Sequence, residues 1–265
     1  MRLTILLLMC ACRPLVEAPE AIDDALISVW RAFDATDAQL EELIEALLEL
    51  PEIAAVDAVE TGEQSRLTPA DLAVLDFDRP TPDPALARPM YLLSPLRCAP
   101  ARIEDIWSWP DQNELYGEYD DYDRRFHAPR EDWLDGRTDT LSWDGTIVAT
   151  IPIIANGTYT YAFTTVMRRV RLSGDRSAWL ARTHMPGVAD WGRGQHEMSQ
   201  DYQLEALFPN AEGELIHLYG AWRRMVVHNI GDTEGDAIPR ITLNQMEKWG
   251  RRTQVLCDAD ALPPG

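Results

Sequence analysis

The stretch DYQLEALFPNAEGELIHLYGAWRRM constrains the fold of this chain more than any other. Read from EMSQ onward, Glu197, Ser199, Asp201, Gln203 and Glu205 alternate with Met198, Tyr202, Leu204, Ala206 and Phe208. A period of two is the signature of a strand with one buried face, and it predicts the first set outward and the second inward. Pro209 to Gly213 then turns the chain into a second apolar run, ELIHLYGAWRRMVV, so the pair reads as two long antiparallel strands.

The surrounding segments fit an antiparallel sheet flanked by helices. Upstream, Met90 to Leu96 reads as a strand and Pro100 to Trp109 as a helix with Ile103, Ile106 and Trp107 on one face. Strands follow around 119–127, 138–143 and 146–154, the last two joined through an Asp144-Gly145 turn. Asn156-Gly157 marks a further hairpin into TYTYAFTTVMRRVRL, where Tyr159, Tyr161 and Phe163 share a face. Val166 and Val170 fall on the other parity, which predicts a bulge near Thr164-Thr165. Ala178 to His184 is another strand. At the end, Thr242 and Gln245 form a capping-box pattern, and Leu243, Met246, Trp249, Thr253 and Leu256 make the stripe of a long helix.

In front of this body the chain is helical. Ile22, Leu26, Val29, Trp30 and Phe33 form one stripe, and Thr36 with Gln39 caps a second helix carrying Leu40, Leu43, Ile44 and Leu47. Thr68-Pro69 opens a third, short one. Four prolines between Asp76 and Pro89 mark a join. The expected division is a signal at 1–11, a helical segment at 12–75, a Pro-rich linker at 76–89, an α+β domain at 90–257 and a tail at 258–265.

With 46% apolar and 26% charged residues, the 265-residue chain has globular composition. Its 44 acidic against 24 basic residues give a net charge of −20, which repels phosphate backbones and argues against nucleic acid as a partner.

The N-terminus, MRLTILLLMCACRP, has a short basic start and a leucine run far below the roughly 18 residues of a spanning helix. MCAC resembles the lipobox of bacterial lipoproteins: Ala11 is the small residue before Cys12, with Met9 where the family usually has Leu. The resemblance implies that Cys12 is lipidated and becomes the first residue of an extracytoplasmic protein, with the membrane as a partner through its lipid. Arg13 and Pro14 stand where an inner-membrane retention signal would have Asp, which implies the outer membrane. Removal of both Cys10 and Cys12 by an ordinary signal peptidase is the alternative.

The order strand, helix, antiparallel strands, closing helix resembles the helix-grip fold of the START and polyketide-cyclase-like superfamily. The passages that carry it are YLLSPLRCAPARIEDIWSW, DYQLEALFPNAEGELIHLYGAWRRM and ITLNQMEKWGRRTQVLC, within 90–257. The implied class is α+β, a curved antiparallel sheet with a long C-terminal helix behind a small N-terminal helical segment. A lipocalin-like barrel is the rival. The resemblance places Cys98 at the end of the first strand and Cys257 at the end of the last helix, where a disulfide would pin one to the other. Export would permit that bond, worth about 4 kcal/mol on the loop-entropy model.

The resemblance also implies a cavity for an apolar small molecule or lipid under the last helix, with Tyr159, Tyr161, Phe163, Tyr202, Tyr219 and Trp222 as candidate ligand-binding residues. Such a site calls for roughly 300 Å³ or more. A structural or protein-interaction lipoprotein with a filled core is the second reading. An enzyme is the third, with His184, His196 and Asp190 its nearest candidates. No metal, cofactor or catalytic motif is expected: the histidines lack ligand spacing, and DQNELYGEYDDYD departs from a calcium loop at Leu115 and Tyr116.

Overall fold

The computed structural model describes residues 18–151, 157–192, 196–228, 231–232, 235 and 237–262. The signal segment and Cys12 therefore lie outside the described residues, as does Asn156. No helix among the described residues is long and apolar enough to cross a membrane.

The chain opens with helices α1 (Ile22–Ala32), α2 (Asp37–Leu48) and α3 (Pro51–Ala54). Thr36 and Gln39 form the expected capping box on α2, each side chain satisfying the other's backbone N–H. Strand β1 (Glu60–Gly62) and helix α4 (Pro69–Leu72) follow, α4 capped by Thr68 and Asp71 in the same way. Then come β2 (Arg88–Leu96), α5 (Pro100–Trp107), α6 (Gln112–Tyr116), β3 (Asp121–Phe126) and α7 (Arg130–Leu134). The long strands are β4 (Thr140–Thr150), β5 (Thr158–Arg171), β6 (Ser177–His184), β7 (Glu197–Pro209) and β8 (Leu215–Val227). A short β9 (Gly231–Asp232) and helix α8 (Ala237–Asp258) close the chain.

The strands form one sheet in the order β1-β2-β8-β7-β6-β5-β4-β3, antiparallel throughout, with β9 beside the end of β8. It is a curved antiparallel sheet with a long C-terminal helix, the helix-grip arrangement that the element order predicts.

From β4 to β8 the odd-numbered residues face α8 along nearly the whole length. Trp143, Phe163, Met167, Trp179, Ala181 and Leu207 build that side. The even-numbered Leu180, Leu204, Phe208, Leu218 and Trp222 face α1 and α2, where Leu26, Trp30, Phe33, Leu40 and Leu47 cover them. The N-terminal helices and α8 thus sandwich the sheet.

Local readings change in four places. Asp144-Gly145 is no turn: β4 runs straight through it, pairing Gly145 with Phe163 on one side and Arg124 on the other. A side chain at Gly145 would collide with the Phe163 ring, so the glycine here is a seat for an aromatic residue. No bulge occurs near Thr164-Thr165, since β5 keeps register with both neighbours. Val166 and Val170 are apolar on the other parity because that face is covered by helices. The irregularity lies instead in β7, between Met198 and Gln200, and it turns Met198 to the α8 side. Finally, α8 starts at Ala237, with Pro239 in its first turn where a missing N–H costs nothing, so Thr242 is a buried residue inside the helix and no cap.

Candidate functional site

Between α8 and the odd-numbered face of the sheet lies a cavity of about 130 Å³. That is below the roughly 300 Å³ expected of an ordinary ligand pocket and close to the engineered ~150 Å³ cavity that takes a single benzene ring. Large side chains reduce it. Trp107 enters from α5, Tyr119 and Tyr122 from the α6–β3 region, and Trp249 from α8. Trp143, Tyr161 and Phe163 form the floor from β4 and β5.

The rings of Tyr119, Tyr122, Phe163 and Trp249 meet at tilted angles. Tyr122 lies 5.8 Å from Phe163 and 5.3 Å from Tyr119, and Tyr119 lies 6.1 Å from Trp249, spacings at which aromatic quadrupoles attract. Burial raises the pKa of the Tyr119, Tyr161 and Tyr219 phenols well above the usual value, so they stay neutral and keep their O–H donors.

Polar groups line the β7–β8 side. The Tyr219 hydroxyl donates to Gln203 Oε1 (2.8 Å), and Gln203 Nε2 donates to Asp201 Oδ2 (2.7 Å). Arg223 closes the chain with two bonds to the Asp201 carboxylate, each 3.0 Å. Next to it, His217 Nε2 lies 3.2 Å from Glu205 Oε2, and its ring is nearly parallel to Tyr219. The "outward" reading of Asp201, Gln203 and Glu205 is therefore overturned: Asp201 is 2% exposed, and Gln203 and Glu205 line the cavity. Alternation marks two faces, and here a helix covers the more polar one.

Of the six candidate ligand-binding residues, Tyr161, Phe163 and Tyr219 line the cavity. Tyr159 is on the same side, stacked between Tyr161 and Trp191 at 5.9 and 4.4 Å, and does not line it. Tyr202 and Trp222 lie on the other face. Tyr202 meets the edge of Phe77, and Trp222 packs at 5.5 Å against Trp30 while donating to the Ser65 carbonyl. The two stand opposite each other in register, and both have the parity that faces the N-terminal helices. Trp107 and Trp249 were legible only as helix stripes, and Arg124, Glu205 and His217 gave no signal of their place.

The expected Cys98–Cys257 disulfide is present, with Cα atoms 5.0 Å apart. It ties the end of β2 to the last turn of α8, beside Trp107.

His184, His196 and Asp190 do not converge. His184 Nε2 bonds the Asp76 carbonyl at 2.7 Å on the N-terminal-helix side, and burial lowers its pKa. His196 Nδ1 accepts from the His228 backbone on the Trp191 side, and Asp190 accepts from the Gly192 N–H. Among the described residues, no group of three or more His, Cys, Asp or Glu is placed to hold a metal.

No protein-family model matches the chain, and no curated protein matches it. Among solved structures it is similar to a START superfamily protein from Mycobacterium smegmatis, at 9% identity and a TM-score of 0.39, over 64% of this chain and 97% of the other. It is similar also to a STAR-related lipid transfer protein fragment from Xanthomonas axonopodis (9% identity, TM-score 0.43, 77% and 96% covered). A third is the human StAR-related lipid transfer protein 5 (9% identity, TM-score 0.41, 84% and 96% covered).

Proposed function

We propose that this chain is a lipid-anchored extracytoplasmic protein that binds a small, ring-bearing apolar molecule in the cavity under α8. The observation that carries the ligand reading is the cavity itself: aromatic walls and a short row of polar groups at one side, the composition of a small-molecule site. Its size limits the occupant to about one ring with a short substituent.

Anchoring at Cys12 is supported by the leucine run and the Ala11-Cys12 pair. Acyl chains contribute about 0.8 kcal/mol per buried methylene, enough in combination to hold an acidic domain at a membrane surface. The Cys98–Cys257 bond supports export, because disulfides persist in oxidising compartments. The absence of Asp after Cys12 favours the outer membrane on the lipoprotein resemblance.

Two measurements test this. Intact mass of the full chain produced in a bacterium is expected to show loss of residues 1–11 and addition of acyl chains, with Cys12→Ser leaving the chain unprocessed and out of the membrane fraction. Unchanged processing in Cys12→Ser overturns the anchor. Native mass spectrometry of the same protein is expected to carry a small co-purified ligand.

The small volume favours a second reading, a structural or protein-interaction lipoprotein whose core is effectively filled. An empty protein whose tryptophan fluorescence is unmoved by single-ring ligands establishes that reading over the first.

A further inference from the structure

We infer that the ligand of this cavity carries a carboxylate and that Arg124 is the residue that reads it. The inference rests on the ligand-binding reading above and names the chemistry of its occupant.

Arg124 lines the cavity from β3, an outer strand of the sheet. Its Nε donates to the Tyr122 hydroxyl at 2.8 Å, and its Nη1 donates to the carbonyls of Trp107 and Trp109 at 2.7 and 3.0 Å. The guanidinium lies 4.4 Å from the centre of the Trp143 ring and 5.2 Å from that of Tyr122. These contacts fix the plane of the fork without neutralising its charge. Nη2 has no protein acceptor and Arg124 no carboxylate partner among the described residues.

Other arginines on this side of the sheet are paired. Arg223 is held by Asp201 with two bonds, and Arg169 by Glu104 at 2.6 Å. Arg124 is the cavity-lining cation left without a counter-charge among the described residues. A half-buried guanidinium fixed in plane is complementary to a planar carboxylate. The indole N–H of Trp143, whose ring lies under the guanidinium, is buried and also lacks an acceptor.

Glu205, the acid that lines the cavity from β7, is engaged by His217. Its charge would oppose a multiply charged anion, which favours a singly charged carboxylate over a phosphate. With about 130 Å³ available, the chemistry is that of a small ring-bearing carboxylic acid.

The test titrates the full chain at neutral pH with phenylacetate, 2-phenylethanol and 2-phenylethylamine, three probes with one ring and a two-carbon arm ending in an acid, an alcohol or an amine. Phenylacetate is expected to bind about tenfold or more tightly than the alcohol, the advantage of charge-assisted bonds, with the amine weakest. Arg124→Gln is expected to collapse the acid-to-alcohol ratio toward one, and Arg124→Lys to keep part of it. The ratio in the unmodified protein needs no variant to fold. Alcohol binding equal to acid overturns the carboxylate inference and leaves the cavity reading standing. No binding by any of the three overturns both.

Discussion

On the side of α1 and α2, strands β7 and β8 present Tyr202, Leu204, Ala206, Phe208, Ile216, Leu218 and Trp222, each at most 2% exposed. On the side of α8 the same strands present Asp201, Gln203, Glu205, His217, Tyr219 and Arg223, joined by hydrogen bonds and partly open to a cavity. One face is a filled apolar core and the other the polar side of a pocket, although they share a backbone and differ only in parity. The difference shows that covering a face with a helix does not oblige it to be dry. Buried polar groups persist where they satisfy one another, and here they do so in a row along the sheet.

The largest test of this contrast removes a ring from the filled face. Trp222→Ala is expected to cost about 3–5 kcal/mol in urea unfolding, because Trp30 and the even-numbered side chains around it cannot close the gap. Tyr219→Phe, on the cavity face, deletes only the hydroxyl bond to Gln203 and is expected to cost about 1 kcal/mol. Equal losses would erase the distinction between the faces.

The disulfide belongs to the cavity side. Cys257→Ser is expected to lower stability by about 2–5 kcal/mol. Hydrogen exchange should rise first in the last turns of α8, with α1 and α2 little changed. Exchange rising equally in all three helices would make the two sides one cooperative unit.

Glycines sharpen the comparison with opposite signs. A Cβ on Gly220 would sit 2.7 Å from Leu26 Cδ1 and 2.8 Å from Gln64 Nε2, so Gly220→Ala overpacks the filled face and is expected to cost about 1–3 kcal/mol. Gly250 lies in mid-α8 on the cavity wall with nothing within 4 Å of such a Cβ. Gly250→Ala is expected to stabilise by about 0.5–1 kcal/mol through helix propensity alone, as read from the thermal midpoint.

The smallest effect is in pH. Burial lowers the pKa of His184 on the filled side, so the unfolded chain takes up its proton more readily than the folded one. Its contribution to stability is therefore present above about pH 6.5 and is lost as pH falls through the lowered folded value. Urea midpoints at pH 7.5 and 5.5 should separate in the native protein and draw together in His184→Asn.

Much of the fold was legible. The stripes of α1 and α2, the caps at Thr36 and Thr68 and the alternation along β7 are local patterns, and local sterics and capping suffice to produce them. The candidate site was half legible. Tyr161, Phe163 and Tyr219 were read correctly from the strands, whereas Tyr202 and Trp222, expected at the ligand, lie on the opposite face, because parity names two faces without saying which element covers each. Asp144-Gly145 was misread for a related reason: a glycine that gives way to an aromatic ring in the middle of a strand looks locally like a turn.

By itself the sequence determined the element types, the antiparallel order and the long closing helix, since periodicity, caps and turn residues act over a few positions. Only the tertiary structure decided which side of the sheet became filled and which became hollow. It also decided that the polar members of β7 point under α8 and that Arg124 arrives at the cavity with its charge unpaired among the described residues. These are outcomes of curvature and of which helix lies on which face, and both depend on contacts between residues more than a hundred positions apart.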